Sequence, residues 1–377
     1  MYDAIVVGAR CGGSPAAMLL AEKGYSVLLV DKSTFPSDIM STHYVHVPGV
    51  LRLERWGLLD RLLATNCPKL HTMTLHLNGV AFTPPPFPIE NPPPEVFAVC
   101  PRRTVLDKLL VDRAAEAGVE VREGFSVKEL VWNDGAVAGI RGSAKGGSEV
   151  TEDARLVIGA DGLHSTVARE VKPAEYNTKP SLSYGYYNYW SGIPLDGAEI
   201  HMQADTGGLL AFPTNDGLTC IAVGGPIDSF HEFRKDIPGN YMKMLAIAPE
   251  LEKMAKAAKA EERYVGTADQ PNYFRKPYGP GWALVGDAGY HRDFVTGLGI
   301  TDAFRDAEYL TDAVDEAFSG RRPFDDAMAG YERRRNEIAE PLYEVTTKMV
   351  SGGEITPELF LQFGIAMAKM VPAAVEA

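Results

Sequence analysis

The stretch MYDAIVVGARCGGSPAAMLLAEKGYSVLLVD, residues 1–31, decides the fold. An apolar run over Tyr2–Val7 predicts a strand that leads into a glycine-rich turn. An Ala/Leu-rich helix follows from about Ser14, and Val27–Val30 forms a second strand that ends on an acid. This strand–turn–helix–strand order predicts the opening βαβ unit of a parallel α/β sheet. An ordinary βαβ unit with a tight turn and no ligand is the alternative.

The turn itself points to a dinucleotide. A turn of this kind lets backbone N–H groups and a helix N-terminus face a pyrophosphate, and an acid roughly 20 residues later can bind a ribose. In the pattern G-x-G-x-x-G the middle position is Arg10 instead of glycine. Either the backbone there lies farther from the phosphates, or the guanidinium itself binds one. We expect cofactor contacts from Gly8, Arg10, Gly12, Gly13, Asp31 and Lys32.

Composition narrows the class of protein. The 377 residues are 45% hydrophobic and 23% charged, as in ordinary folded chains, and the length favours about two domains. A net charge of −13 without a long basic run argues against nucleic acid. The chain enters a strand at once, and no apolar run approaches the ~20 residues that span a bilayer. We therefore expect a cytoplasmic protein without a membrane span.

Metal ligands are not predicted. Four cysteines (Cys11, Cys67, Cys100 and Cys220) lie far apart without a CxxC pair, which predicts core thiols. His43 and His46 are three residues apart, but no third ligand lies near them in the sequence.

The middle of the chain alternates predicted strands and helices. The segment Pro84–Pro94 (PPPFPIENPPP) must run extended because proline fixes φ; it is either a stiff connector or a wall over a pocket. The other predicted elements are a helix over Pro48–Leu63, a strand over Leu70–Leu77, a helix from Arg103, a hairpin across Asn133-Asp134-Gly135, and a strand over Leu156–Gly159 that ends in Asp161-Gly162.

From Pro180 the pattern becomes antiparallel β. The run Leu182–Trp190 places Tyr184, Tyr186, Asn188 and Trp190 on one face and Tyr187 and Tyr189 on the other. Further predicted elements are strands over Ile200–Ala204, Leu209–Pro213 and Leu218–Val223, a helix over Tyr241–Ala260, a strand over Trp282–Val285 that ends in Gly286-Asp287, and helices from Gly299 onward.

Three motifs in this order resemble the group A FAD-dependent monooxygenases, which share the fold of para-hydroxybenzoate hydroxylase. They are the glycine turn, Asp161-Gly162 with Ser165, and Gly286-Asp287 followed by Gly299. The resemblance covers nearly the whole chain. It implies a Rossmann-like FAD-binding domain with a parallel sheet (1–74, 99–172 and 270–377), an inserted antiparallel substrate domain (75–98 and 173–269), and C-terminal helices.

By position, the resemblance also implies roles for single residues. Arg103 would hold FAD from the side, and Asp287 would bind its ribityl chain or an ordered water. Backbone N–H groups around Gly299 and Ile300 would face the flavin pyrimidine, while Asp161 and Gly162 would lie near FAD and the nicotinamide nucleotide. Two places depart from the family. Ala168 stands where an arginine usually closes the second motif. Residues 287–294 (DAGYHRDF) stand where the family commonly has Ala-Ala-His after the aspartate and one or two prolines a few residues on, against the flavin face.

The implied chemistry is oxygenation. NADPH or NADH would reduce FAD, and a flavin hydroperoxide would transfer one atom of O2 to a small aromatic or polycyclic substrate. We expect catalytic contributions from His291, Phe294 and Tyr186, and a substrate wall of Tyr184, Tyr186, Asn188, Trp190, Phe212 and Pro213. The opposite face of that sheet is the alternative wall. The partners expected are the substrate and O2, for a monomer or homodimer.

Two other functions stay open. A dehydrogenase or alkene reductase resembling the geranylgeranyl reductases could use the same fold, and the change from proline to Phe294 favours it mildly. A flavin halogenase is less expected, because the sequence W-x-W-x-I-P is missing. A protein that only holds flavin or sequesters a small molecule is the non-catalytic alternative.

Overall fold

The computed structural model describes residues 1–83, 94–203, 206–351 and 357–371. The proline-rich segment from Pro84 lies outside the described residues except for Pro94. The strands are β1 (Tyr2–Val7), β2 (Val27–Val30), β3 (Lys69–Leu70), β4 (Met73–Leu77), β5 (Val80–Phe82), β6 (Ala98–Val99), β7 (Glu120–Arg122), β8 (Phe125–Asn133), β9 (Ala136–Ala144), β10 (Val150–Gly159), β11 (Glu175–Lys179), β12 (Ser183–Ser191), β13 (Ala198–Gln203), β14 (Gly207–Pro213), β15 (Thr219–Pro226), β16 (Lys259–Ala260), β17 (Val265–Thr267), β18 (Asn272–Arg275), β19 (Tyr278–Gly279), β20 (Trp282–Leu284) and β21 (Tyr290–His291). The helices are α1 (Gly13–Glu22), α2 (Val47–Arg55), α3 (Leu59–Leu63), α4 (Arg103–Glu116), α5 (Thr166–Val171), α6 (Phe230–Phe233), α7 (Ile237–Met244), α8 (Pro249–Ala257), α9 (Gly299–Phe318), α10 (Phe324–Val350) and α11 (Pro357–Ala368).

The first sheet is mainly parallel, with the order β19-β20-β10-β1-β2-β7. Ile5 of β1 lies between Val157 and Leu28 of its neighbours. Helices α1, α4 and α9 pack on one face, and the β8–β9 hairpin with α5 packs on the other. Burial on both faces explains why β1 and β2 read as continuous apolar runs. The predicted Rossmann-type α/β sheet is confirmed.

The second sheet is the predicted antiparallel one. Its order is β16-β12-β15-β14-β13-β4-β5, with β17 also beside β12. The β13–β4 pair is parallel and brings the segment before α4 into the sheet. One face packs against α6–α8, and the other packs against Tyr44 and Cys100 from the first part of the chain. This second face is therefore the one turned toward the loop before α2 and the segment before α4.

The C-terminal helices close the molecule around α9. Helix α9 packs against α1, α2 and α10. Leu342 of α10 forms a cluster with Met367 of α11 and with Met370. No helix in the described parts of the chain is both long and apolar enough to cross a bilayer. The proposed division into two domains stays a prediction.

Three predicted elements differ in detail. The helix expected over Pro48–Leu63 is broken into α2 and α3 at Gly57, whose φ of +70° is left-handed. The helix expected over Tyr241–Ala260 is split into α7 and α8, with Pro249 beginning the second. A small sheet of β11, β18 and β21 was not predicted.

Candidate functional site

The glycine-rich turn is a close contact between β1, α1 and β10. A Cβ on Gly13 would lie 1.7 Å from the carbonyl oxygen of Gly8, and one on Gly8 would lie 2.5 Å from that of Ala160. Both positions therefore require glycine. Helix α1 has no side-chain N-cap; the N–H of Ser14 donates to the carbonyl of Arg10 at 3.0 Å, and Gly12 at this helix N-terminus borders a cleft. This cradle fits a pyrophosphate, as the sequence predicts.

Asp31 supports the turn from the end of β2. Its Oδ2 accepts a hydrogen bond from the N–H of Ala9 at 2.7 Å, and its Oδ1 accepts one from Ser33 at 2.7 Å. The carboxylate is buried but borders a cleft of about 300 Å³ together with Lys32 and Gly12. Asp31 thus holds the turn and still borders the place where a ribose would lie.

Arg10, which stands in place of the middle glycine of the pattern, forms several contacts within the protein. Its Nη1 donates to Asp107 Oδ2 at 2.5 Å, and its guanidinium also donates to Ser37 and lies over the ring of Phe35. The guanidinium is therefore already paired within the protein while it borders the cleft. A direct contact between Arg10 and a cofactor stays a prediction.

Arg103 shares the same carboxylate. Its Nε and Nη2 donate to the two oxygens of Asp107, each at 3.0 Å, one turn along α4. Asp107 is fully buried between the two arginines, and burial raises the pKa of the adjacent Cys11 thiol to about 12. Arg103 borders both the cleft and the larger cavity described below, which suits contact with an extended cofactor.

The second motif forms a closed turn after β10. Ser165 donates to Asp161 Oδ1 at 2.5 Å, and the N–H of Thr166 donates to Oδ2 at 2.6 Å. Ser165 Oγ also accepts from the N–H of Ala168, which caps α5. Burial raises the pKa of Asp161 despite these hydrogen bonds. Asp161 and Gly162 border the cleft and the cavity.

The third motif leads from β20 into α9. Gly286 has a φ of +61°, and the carbonyl of Asp287 accepts from Tyr273 at 2.6 Å. Burial raises the pKa of the Asp287 carboxyl, while nearby His291 and Arg103 oppose that shift. Gly299 begins α9 with open space at its Cβ position. Gly299 and Ile300 border the cleft at the N-terminus of α9. The partial positive charge of a helix N-terminus favours negative charge on the nearest edge of a ring bound there.

His291 and Phe294 lie on the side of this loop that borders the larger cavity. Nδ1 of His291 donates to the carbonyl of Pro271 at 2.5 Å, which leaves Nε2 as an acceptor. A Cβ on Gly185 would lie 2.4 Å from Cζ of Phe294, so that ring rests directly on β12. The loop after β20 and the second sheet thus meet at Phe294.

The larger cavity has a volume of about 1750 Å³ and shares lining residues with the cleft, among them Arg103, Asp161 and Ile300. Its far walls are apolar and include Ile200, Met202 and Leu210 from the second sheet. Helix α11 adds Leu361 and Ile365, which are 65% and 51% exposed. The space exceeds the roughly 300–1,000 Å³ of common ligand pockets, so it can hold a flavin ring and a substantial second molecule.

The aromatic strand β12 requires a correction. Trp190 packs on Tyr241 of α7, with its Nε1 3.2 Å from the hydroxyl, and Asn188 donates to the carbonyl of Glu262. Neither residue borders the cavity, and neither does Pro213. Tyr184 and Tyr186 border it, although their rings pack against Phe233 of α6. The face that carries Gly185 and Tyr187 is the one turned toward the third motif, because β12 packs its other face on the helices.

Phe212 borders the cavity as predicted for the substrate wall, and it belongs to a buried group that sequence reasoning missed. His43 lies in this group with a φ of +61°, and its Nε2 is hydrogen-bonded to the hydroxyl of Tyr189 at 2.7 Å. Burial lowers the pKa of His43 to about 3. The residue pattern Ser-Thr-His before α2 was the only signal for it.

His46 is separate from His43. Its Nε2 donates to the carbonyl of Thr296 at 3.0 Å, and burial lowers its pKa to about 4. The two histidines therefore tie one loop to two different places: His43 to the second sheet, and His46 to the loop before α9.

We expect these histidines to make stability depend on pH. Both bind a proton more weakly in the folded chain than in the unfolded chain, so the folded state loses stability as pH falls below about 6.5. Each contributes up to about 1.4 kcal/mol per pH unit in that range. In urea unfolding, the free energy of unfolding should fall less between pH 7 and pH 5 for His43→Asn than for the parent.

His164→Gln is the control for this prediction, because His164 is 81% exposed. The free energy of unfolding of this control variant should fall between pH 7 and pH 5 by as much as that of the parent. If the free energy of unfolding falls equally in the His43→Asn variant and in the parent, the inference that His43 is buried without charge is wrong.

Comparison with known proteins agrees with this geometry. The model of the family described as "FAD binding domain" matches residues 1–346. The chain belongs to this FAD-binding family. The flavoenzyme is 29% identical over 356 residues to a digeranylgeranylglycerophospholipid reductase of Methanosarcina acetivorans, covering 89% of this chain and 81% of that protein. A second such reductase, from Methanothrix thermoacetophila, is 27% identical over 347 residues, covering 89% and 83%.

Solved structures share the fold of the flavoenzyme. The flavin-dependent brominase Bmp2 superposes with a TM-score of 0.83 at 18% identity, covering 98% of this chain and 94% of that one. The probable FAD-dependent monooxygenase pqsL of Pseudomonas aeruginosa superposes with a TM-score of 0.79 at 19% identity, covering 96% and 99%. The resemblance to the group A flavin monooxygenases is thereby confirmed at the level of family and fold, and the chain is a FAD-dependent oxidoreductase.

Proposed function

We propose that this flavoenzyme is an NAD(P)H-dependent monooxygenase that oxygenates an extended, mostly apolar molecule. One observation carries the proposal: the dinucleotide cleft adjoins, through shared lining residues such as Arg103 and Ile300, a large cavity whose far walls are apolar. A reaction that transfers oxygen from a reduced flavin needs such a water-poor space. The substrate expected from its size is larger than a single aromatic ring.

The residues of the cleft suit FAD. The glycine turn and the N-terminus of α1 would take its pyrophosphate, Asp31 the adenosine ribose, and Arg103 the middle of the molecule. The backbone of Gly299 and Ile300 would lie at the flavin end. When bound, FAD supplies the redox chemistry, by accepting a hydride from NADPH or NADH and passing the electrons on.

Phe294 and His291 would act on the substrate side. The ring of Phe294 fills the space against Gly185 and so limits the access of water from that side. With its Nδ1 held by the carbonyl of Pro271, His291 would use Nε2 to accept a proton from a substrate hydroxyl and return it. Tyr187, on the face turned to the third motif, replaces Asn188 and Trp190 as a candidate for substrate contact.

Reduction of an alkene is the second candidate. The names of the two curated relatives compared above favour it, since both are described as digeranylgeranylglycerophospholipid reductases. An extended apolar cavity suits this reaction equally well. Here the flavin would deliver a hydride to one carbon, and His291 or a cavity hydroxyl would place a proton on the other.

Oxygen dependence separates the two reactions. Purified enzyme is supplied with NADPH or NADH and candidate phenols, polycyclic aromatics and polyprenyl lipids, with and without air. The monooxygenase proposal predicts substrate turnover only in air. Turnover that persists under argon, with a product heavier by two hydrogens, would overturn it in favour of the reductase.

A further inference from the structure

A cluster of two histidines and a glutamate lies on the second sheet; of its three residues, His201 also borders the large cavity. His76 of β4 and His201 of β13 are directly opposite each other in the parallel pair. Their rings are stacked, with centroids 3.9 Å apart and planes 4° from parallel. Glu199, two residues before His201 on the same face, has its Oε2 3.2 Å from His201 Nε2.

We propose that His76, Glu199 and His201 form a binding site for a divalent transition metal ion such as Zn²⁺. One ligand atom from each residue lies within 4.8 Å of the others. At metal–ligand distances of about 2.0–2.2 Å, neighbouring ligands of a tetrahedral ion lie roughly 3.3 Å apart. The Glu199–His201 separation already matches this edge, and the His76 ligand atom lies within 4.8 Å of the other two. Binding would require the stacked imidazole planes to turn so that both nitrogens point at one ion.

The position in the sheet favours a metal over two independent histidines. His201 is 11% and Glu199 34% exposed at the side chain, so the ligands are partly withdrawn from water.

The chemistry of the ligands selects the class of ion. Two imidazoles with one carboxylate suit zinc and its neighbours, whereas Mg²⁺ and Ca²⁺ prefer oxygen ligands only. Glu199 and His201 lie on the face of β13 opposite Ala198, and Ala198 packs in the cluster with Tyr44 and Cys100. The role that we assign to the ion is structural. It would join β4 to β13 and so fix the segment before α4 onto the second sheet.

The test uses untagged, FAD-loaded protein freed of metal with a chelator and titrated with Zn²⁺ by calorimetry. We expect one Zn²⁺ per chain, and binding weaker by about tenfold or more in His76→Ala and in His201→Ala, because each loses one of three ligands. His231→Ala, at an exposed histidine of α6, is the matched control and should bind like the parent. Mg²⁺ should not compete.

A second measurement distinguishes the loss of metal binding from the misfolding of a variant. In the parent and in His231→Ala, Zn²⁺ should raise the thermal unfolding midpoint, and in the double variant His76→Gln/His201→Gln it should not. A parent that binds no Zn²⁺, or variants that bind it as tightly as the parent, would overturn the proposal. Neither readout depends on turnover, so the result is independent of the reaction that the enzyme catalyses.

Discussion

Replacing Asp107 with asparagine should cost about 3–5 kcal/mol of folding free energy, since breaking a buried ion pair leaves an uncompensated charge. Asp107 is fully buried and balances both Arg10 and Arg103. An asparagine keeps the shape but carries no charge, so two guanidinium groups would face each other without a counterion. The measurement is equilibrium unfolding in urea at pH 7, together with the FAD content of the purified protein.

Asp112→Asn on the same helix is the matched control. Asp112 is 39% exposed and pairs with Lys108 one turn away. An exposed pair of this kind contributes no more than about 0.5 kcal/mol. If the two variants lose similar stability, the arginine–aspartate group beneath the glycine turn is not the support that we infer.

Replacing Gly13 with valine should abolish FAD binding, with an affinity loss of at least about a hundredfold. A Cβ there would lie 1.7 Å from the Gly8 carbonyl, a backbone atom that cannot move without displacing β1 from α1. Overpacking of this kind costs about 1–3 kcal/mol or more, and here the strain falls on the pyrophosphate cradle. Flavin absorbance per chain and fluorescence titration of the apoprotein measure the loss.

Gly147→Ala controls for a general effect of adding a methyl group. Its Cβ would make only an ordinary contact at 3.4 Å, in a loop between β9 and β10. This variant should bind FAD like the parent. Circular dichroism shows whether Gly13→Val is folded; a folded Gly13→Val protein that retains FAD would contradict the assignment of the turn.

Sequence patterns predicted the first sheet well because its strands are buried on both faces. Apolar runs such as Tyr2–Val7 and Val27–Val30 are typical of strands that are buried on both faces. The glycines between them mark close backbone contacts. The break between α2 and α3 at Gly57 was missed because the helical spacing of apolar residues continues on both sides of it. The short strands β11, β18 and β21 depend on pairing between distant segments, which local patterns do not encode.

The candidate site was predictable only in part. Residues within one motif, such as Asp161 and Ser165, are near in sequence and were predicted together. The orientation of β12 was not, because both of its faces are aromatic and alternation cannot tell which one meets the helices. The His43–Tyr189 and His76–His201 contacts each join residues far apart in the chain. Such pairs follow from tertiary packing alone.

The source of the atom added to the product tests the central claim most directly. The FAD-loaded enzyme is reduced with NADPH or NADH under ¹⁸O-labelled dioxygen in unlabelled water, with a substrate that stimulates turnover. Mass spectrometry of the product should find one ¹⁸O atom per molecule. A product that carries no ¹⁸O and has instead gained two hydrogen atoms would contradict the monooxygenase account.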